Sequence, residues 1–182
     1  GFIGDQKANL KLFDALAKRP LGDVLLLVVP RHPQRFDEVA ALAGKIGLIL
    51  QRRSENAPVP AQTQILRGDS MGELFAYYAA CDVAFVGGSL LDYGSQNLIE
   101  ACADGTPVLI GRSTYNFKQA AEQALACGAA RQIGSAEELL EAADALLRDP
   151  AACRRMGEAG RDFAARHRGA TAKTLALIER YL

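Results

Sequence analysis

Between Asp82 and Arg112 the chain reads DVAFVGGSLLDYGSQNLIEACADGTPVLIGR, and this stretch limits the fold more than any other. Val83, Ala84, Phe85 and Val86 form an apolar run without alternation, cut off at Gly87-Gly88. Runs of this kind are strands buried on both faces, as in parallel sheets covered by helices. A polar loop follows from Ser89 to Ser95, then helical spacing from Gln96 to Ala103. Gly105-Thr106-Pro107 stops the helix, and Val108-Leu109-Ile110 begins a second buried strand that ends at Gly111. The glycines and polar side chains of this strand–loop–helix–strand unit gather at the carboxyl ends of its strands. Open α/β sheets bind ligands there.

The same alternation runs through the whole chain. Residues 6–18 have helical spacing, Asp23–Val29 is the most apolar strand, and Pro33 suits the first position of a helix reaching Lys45. Gly47–Arg52 and Thr63–Leu66 read as strands separated by a proline-bearing loop, Ser54–Gln62. Ser70-Met71-Gly72-Glu73 reads as a capping box opening a helix to Cys81, and Ser135-Ala136-Glu137-Glu138 as another opening a helix to Arg148. Asn116 starts a helix through Cys127, Ala130–Ile133 is a last strand, Asp149-Pro150 caps a further helix, and Gly169 divides it from a final one ending at Leu182. Strands alternating with helices give parallel βαβ units. The expected fold is α/β: a Rossmann-like doubly wound parallel sheet with a helical C-terminal tail, occupying residues 1–182 as a single domain.

Composition excludes several classes of function. The 182 residues carry 21 Lys+Arg against 21 Asp+Glu, so there is no electrostatic footprint for nucleic acid. No apolar run approaches the ~20 residues that span a bilayer, and Gly1 to Asp5 lack the basic region and apolar core of a signal peptide. The four cysteines (Cys81, Cys102, Cys127, Cys153) show no metal or redox spacing and read as buried thiols of a reducing compartment. With two histidines in the chain, a His-rich metal centre is excluded. The chain begins without an initiator Met where a strand–helix unit is already under way, and is expected to be part of something longer.

Several groups at the expected ligand edge can do chemistry. Asn97 and Glu100 lie three apart on one helix and share a face. A carboxylate there can accept two ribose hydroxyl protons, and the amide can donate to a phosphate or sugar oxygen; equally, both residues can simply complement the helix dipole. Gly88 and Ser89, with Gly87, would let a backbone approach an anion closely, or form only a turn. They match neither a dinucleotide fingerprint nor a Walker loop. Arg31 and His32 follow a buried strand and so emerge at the same edge, where the Arg can clamp a phosphate or carboxylate and the His can donate a proton. A surface Arg and a helix-start His between prolines is the plainer alternative. Ser70, Met71, Gly72 and Glu73 start a third helix whose free amides could hold a phosphate, or form an ordinary cap. The arginines at 154, 155, 161, 166 and 168, interspersed with Glu158 and Asp162, read as a solvated helix face. No nucleophile or general base stands out. From residues alone the chain is the anion- and ribose-binding half of something.

Taken in order, Pro30-Arg31-His32-Pro33, Gly68-Asp69-Ser70-Met71-Gly72-Glu73-Leu74, Val86-Gly87-Gly88-Ser89-Leu90, Asn97-Leu98-Ile99-Glu100, Gly105-Thr106-Pro107-Val108 and Thr114-Tyr115-Asn116-Phe117 closely resemble one family. It is the C-terminal domain of the 3-deoxy-D-manno-octulosonic acid (Kdo) transferases, lipid A glycosyltransferases of Gram-negative bacteria. The resemblance covers residues 10–182. It implies half of a two-domain GT-B enzyme of lipopolysaccharide biosynthesis, inverting and metal-independent, with CMP-Kdo as donor and no other cofactor. It further implies that Arg31 and His32 meet the donor's charged groups, that Ser70-Met71-Gly72 and Gly88-Ser89 hold the phosphate region, and that Asn97 and Glu100 bind the phosphate or sugar side and the ribose. The catalytic base, membrane anchor and lipid A acceptor site belong to an N-terminal domain absent from these residues. No catalytic residue is therefore expected here, and the chain alone is expected to be soluble and inert, its parent lying at the cytoplasmic face of the bacterial inner membrane.

Two departures bear on this resemblance. Gly94-Ser95-Gln96-Asn97 stands where the family usually has Gly-Gly-His-Asn, so a His contact is missing. GFIGDQKAN replaces the expected Ser/Thr-bearing strand end and Gly-Glu-Glu helix start. Two rival assignments fit the residues as well: a GT-B or epimerase domain taking a UDP-sugar, and a non-catalytic nucleotide-binding module.

Overall fold

The computed structural model describes residues 6–18, 24–30 and 33–167. The first five residues, Arg31, His32, Arg168 and the tail helix expected from Gly169 to Leu182 lie outside them. Helix α1 (Gln6–Lys18) is followed by β1 (Leu26–Val28), α2 (Phe36–Lys45), β2 (Leu50–Arg52), β3 (Ile65–Arg67) and α3 (Leu74–Ala79). The second half runs β4 (Ala84–Val86), α4 (Ile99–Asp104), β5 (Val108–Ile110), α5 (Lys118–Ala126), β6 (Ala130–Gln132), α6 (Ala136–Leu147) and α7 (Pro150–His167). Single 3-10 turns precede α2 and α5 and follow β2.

All strand pairings among the described residues are parallel. Backbone pairing among the described residues divides them into two three-stranded sheets, ordered β1-β3-β2 and β4-β5-β6, where the sequence suggested one continuous sheet. Side chains rather than a hydrogen-bonded ladder meet where β1 faces β4: Leu27, Val29, Ala84 and Phe85 line a cavity of about 40 Å³. One apolar core still spans both sheets, joining Val28 and Ile65 to Phe85 and Leu109 beneath α1, α2 and α6. Strand alternation turns Ala84, Val86, Val108 and Ile110 to the opposite face, where they pack under α3, α4, α5 and α7. Both faces of β4 and β5 are thus covered, which is why their sequence reads as unbroken apolar runs.

Local chemistry sets the helix ends. Ser135 Oγ accepts the Glu138 amide at 3.1 Å while the Glu138 carboxylate accepts the Gly134 amide at 2.6 Å, so this capping box forms one residue wider than drawn from sequence. Asp149 Oδ1 accepts the Ala152 amide at 2.9 Å, with Pro150 as the first residue of α7. Helix α7 crosses α4 closely because Gly157 and Gly160 lie at the contact: a Cβ on Gly157 would fall 2.2 Å from the Gly105 carbonyl oxygen. All four cysteines are free thiols, and burial, then Cys127, pushes the Cys102 thiol up to about 12.

Candidate functional site

The carboxyl ends of β1, β3 and β4 open into a pocket of about 440 Å³. Val29 and Pro30 form one wall, the Ser70-Met71-Gly72 turn a second, and Gln96, Asn97 and Glu100 a third; Leu74, Tyr78 and Phe117 close the rest. The surface is mostly apolar, with a few polar groups converging on it, the usual make-up of a small-molecule site.

Asn97 and Glu100 come together as the sequence suggested, by a different local geometry. The helix starts at Ile99, not Gln96, so Asn97 precedes the first turn. Its Oδ1 accepts the Ile99 amide at 3.0 Å and its Nδ2 donates to Glu100 Oε1 at 3.1 Å. The side-chain amide thereby fixes the carboxylate and leaves Glu100 Oε2 without a partner among the described residues.

The Ser70–Glu73 segment corrects the expected capping box. Gly72 is left-handed at φ 80°, so the helix starts at Leu74 with Glu73 as its cap residue, and no side chain caps it. Ser70 Oγ instead donates to Glu73 Oε2 and is hydrogen-bonded to the Tyr77 hydroxyl. Arg53 Nη2 reaches Glu73 Oε1 at 3.3 Å. The Ser70 hydrogen bond holds the Glu73 carboxyl below its usual range, burial opposes this, and Arg53 and Tyr77 add to the lowering. Glu73 lies outside the pocket lining and serves the turn. Behind the turn, buried Arg67 donates to Asp69 Oδ2 at 2.9 Å and to the Phe36 carbonyl at 2.7 Å, and Asp69 also accepts the Ser54 amide and hydroxyl. This frame leaves Met71 as a 73% exposed side chain on the pocket rim.

Gly88 and Ser89 are not brought to the pocket surface. Gly88 is left-handed at φ 74°, and its carbonyl accepts the Ser95 amide at 2.9 Å, closing the loop back on the strand end. Ser95 is itself left-handed at φ 72°. Ser89 is fully buried; its Oγ donates to the Val86 carbonyl at 2.5 Å and accepts the Gly111 amide at 2.8 Å, tying the end of β4 to the end of β5. The hydroxyl expected on a phosphate is occupied inside the protein. Arg31 and His32 lie outside the described residues, although Val29 and Pro30 immediately before them line the pocket.

Sequence reading missed Tyr78, Leu74 and Phe117 as pocket residues, because helical spacing assigns such apolar and aromatic positions to the core. Among the described residues no group of three or more His, Cys, Asp or Glu is arranged to hold a metal ion, and no helix is long and apolar enough to cross a membrane.

Comparison with known proteins gives this geometry a family. The family described as glycosyl transferases group 1 matches residues 7–163. A 3-deoxy-D-manno-octulosonic acid transferase of Bordetella pertussis is 48% identical over 174 residues, 95% of this chain and 40% of the relative. The Haemophilus influenzae protein of the same name is 40% identical over 181 residues, 98% of this chain and 42% of the relative. The chain thus spans about two fifths of the length of these relatives. Among solved structures, the C-terminal CMP-Kdo binding domain of WaaA from Acinetobacter baumannii superposes with a TM-score of 0.83 at 31% identity, covering 89% of this chain and 86% of that one. The C-terminal domain of the Francisella tularensis glycosyl transferase group 1 protein LpcC shares the fold, with a TM-score of 0.58 at 16% identity over 88% of this chain and 76% of that one.

Proposed function

This chain belongs to the glycosyl transferases group 1 family, as a C-terminal domain of the Kdo transferase kind, and from that premise we propose that it is the donor-binding half of an inverting enzyme that moves Kdo from CMP-Kdo to a lipid A precursor. The observation that carries the reading is the Asn97–Glu100 pair, which holds one carboxylate oxygen ready at a mostly apolar pocket on the strand ends. In this reading Glu100 accepts the ribose hydroxyls, Val29, Leu74 and Phe117 cover the base, and the 70–72 turn with Arg31 and His32 faces the phosphate and the sugar carboxylate. Gly88 and Ser89 shape the loop and make no direct contact.

The reaction forms a bond from the acceptor hydroxyl oxygen to the anomeric carbon of Kdo and breaks the bond from that carbon to the CMP phosphate. The acceptor proton passes to a base on the partner domain, and CMP leaves with the bonding pair. This chain binds and orients the donor and steadies the leaving nucleotide; it contributes no base and calls for no metal ion. The parent enzyme works at the cytoplasmic face of the inner membrane, where the lipid acceptor lies.

Calorimetric titration of CMP, UMP and AMP into the chain tests the reading, with Glu100→Ala alongside. Saturable CMP binding is expected, weaker for UMP and AMP, and about tenfold or more weaker in Glu100→Ala, the scale of a lost hydrogen bond to a charged group. Binding indifferent to the base, or a preference for UMP, would overturn the assignment of the donor.

A further inference from the structure

Tyr78 is 6% exposed, yet it lines the 440 Å³ pocket as well as the small cavity between β1 and β4. Its place is fixed from the main-chain side: its carbonyl accepts the Thr106 hydroxyl at 3.0 Å and the Cys81 amide at 3.0 Å. Its ring packs with Val86, Leu98 and Cys102 in the core beneath β4. The phenol oxygen has no hydrogen-bond partner among the described residues. Among the described residues the fully enclosed side-chain atoms lacking partners are Gln51 Oε1, Arg67 Nε and Asp104 Oδ2, and the Tyr78 hydroxyl is not one of them. On a residue only 6% exposed that lines both spaces, a hydroxyl with no partner among the described residues has the pocket as the larger space within its reach. A polar group in such a position costs stability unless a partner reaches it.

Glu100 supplies the direction. Helices α3 and α4 pack together, and the Glu100 carboxylate acts on the phenol, adding to the burial that pushes its pKa up to about 12. The hydroxyl therefore stays protonated at neutral pH and presents a donor beside a carboxylate that accepts. A vicinal diol is the ligand group that suits both at once, since each of its hydroxyls can donate to a carboxylate and accept from a phenol.

We propose that Tyr78 is a ligand-contact residue of the pocket, its hydroxyl donating to a ribose oxygen of a bound nucleoside 5′-monophosphate whose diol is held by Glu100. This rests on the donor-site reading above and deepens it. Tyr78 makes the site recognise the ribose from two sides, by Glu100 accepting and Tyr78 donating.

Tyr78→Phe removes the oxygen and keeps the buried ring, so the fold is retained, as a thermal melt will verify. CMP, 2′-deoxy-CMP and 3′-deoxy-CMP are titrated into wild type and variant. CMP binding is expected to weaken roughly tenfold in the variant, the scale of one buried neutral hydrogen bond. The penalty should vanish with whichever deoxy analogue lacks the accepting oxygen. Equal CMP affinity in the two proteins overturns the proposal, and so does a penalty that persists undiminished with both analogues. Failure of folded wild type to bind CMP removes the donor-site reading itself, and shows before any variant is compared.

Discussion

Replacing Ser89 by alanine separates two roles that one hydroxyl could play. Ser89 Oγ bridges the Val86 carbonyl at 2.5 Å and the Gly111 amide at 2.8 Å, and the residue is 0% exposed. Alanine leaves the Gly111 N–H buried with no acceptor. The loop backbone is also pressed onto the strand end: a Cβ at Gly111 would fall 2.1 Å from the Ser89 carbonyl oxygen. An unmade buried amide costs about 1–3 kcal/mol, and the Val86 carbonyl loses a donor as well. The sum is about 2–3 kcal/mol, which for a chain of this size lowers the melting midpoint by about 4–12 °C. Thermal and urea unfolding measure the loss, and CMP calorimetry well below the midpoint measures the site. Stability should fall while CMP affinity stays within about twofold, because the hydroxyl faces the protein interior. A variant that melts like wild type but no longer binds CMP would refute the reasoning and return Ser89 to the ligand.

Two further perturbations probe the frame around the site. Gly157→Ala should destabilise: helix propensity favours alanine by about 1 kcal/mol, but the 2.2 Å approach to the Gly105 carbonyl forces α7 off α4, an overpacking cost of about 1–3 kcal/mol or more. Gly160→Ala, whose Cβ would meet the Cys102 oxygen at 3.2 Å, should be near neutral, and equal urea midpoints for the two variants would contradict the close crossing. Asp69→Asn tests the network behind the Ser70–Gly72 turn. Burial pushes the Asp69 carboxyl up, but hydrogen bonds from Ser54 and the Arg67 guanidinium outweigh it and hold the carboxyl below its usual range. Because the folded pKa is depressed, this stabilisation is present above the unfolded value and is lost as pH falls through the folded one. The variant should be about 2 kcal/mol less stable than wild type at pH 7, where it leaves buried Arg67 short of a counter-charge. That gap should close below about pH 4, and a gap independent of pH in urea titrations would show that the charge is irrelevant.

What the sequence disclosed about the site, and what it hid, follows from which backbone groups claim a polar side chain first. The apolar runs at Ala84–Val86 and Val108–Ile110 announced strands covered on both faces, because each alternate residue meets a helix layer. The polar residues at their ends were legible as a cluster at one edge, and that edge is where the pocket lies. Individual roles were not legible, since they depend on left-handed turns that helical spacing does not register. At Gly72 and Ser95 the chain turns through positive φ before each helix, moving the helix starts to Leu74 and Ile99. Ser70 is thereby left beside Glu73 and Tyr77, and Ser89 between two strand ends, so both hydroxyls are occupied by the protein. Among the described residues Asn97 is claimed only by the Ile99 amide and by Glu100, and the carboxylate it steadies has a second oxygen without a partner there. Tyr78 is the converse case: helical spacing marks it as core, its ring is core, and only the three-dimensional structure places it on the pocket as well, its oxygen without a hydrogen-bond partner among the described residues. A residue's availability to a ligand is therefore settled by its competitors inside the fold, and on this pocket wall Glu100 Oε2 and the Tyr78 hydroxyl have no hydrogen-bond partner among the described residues.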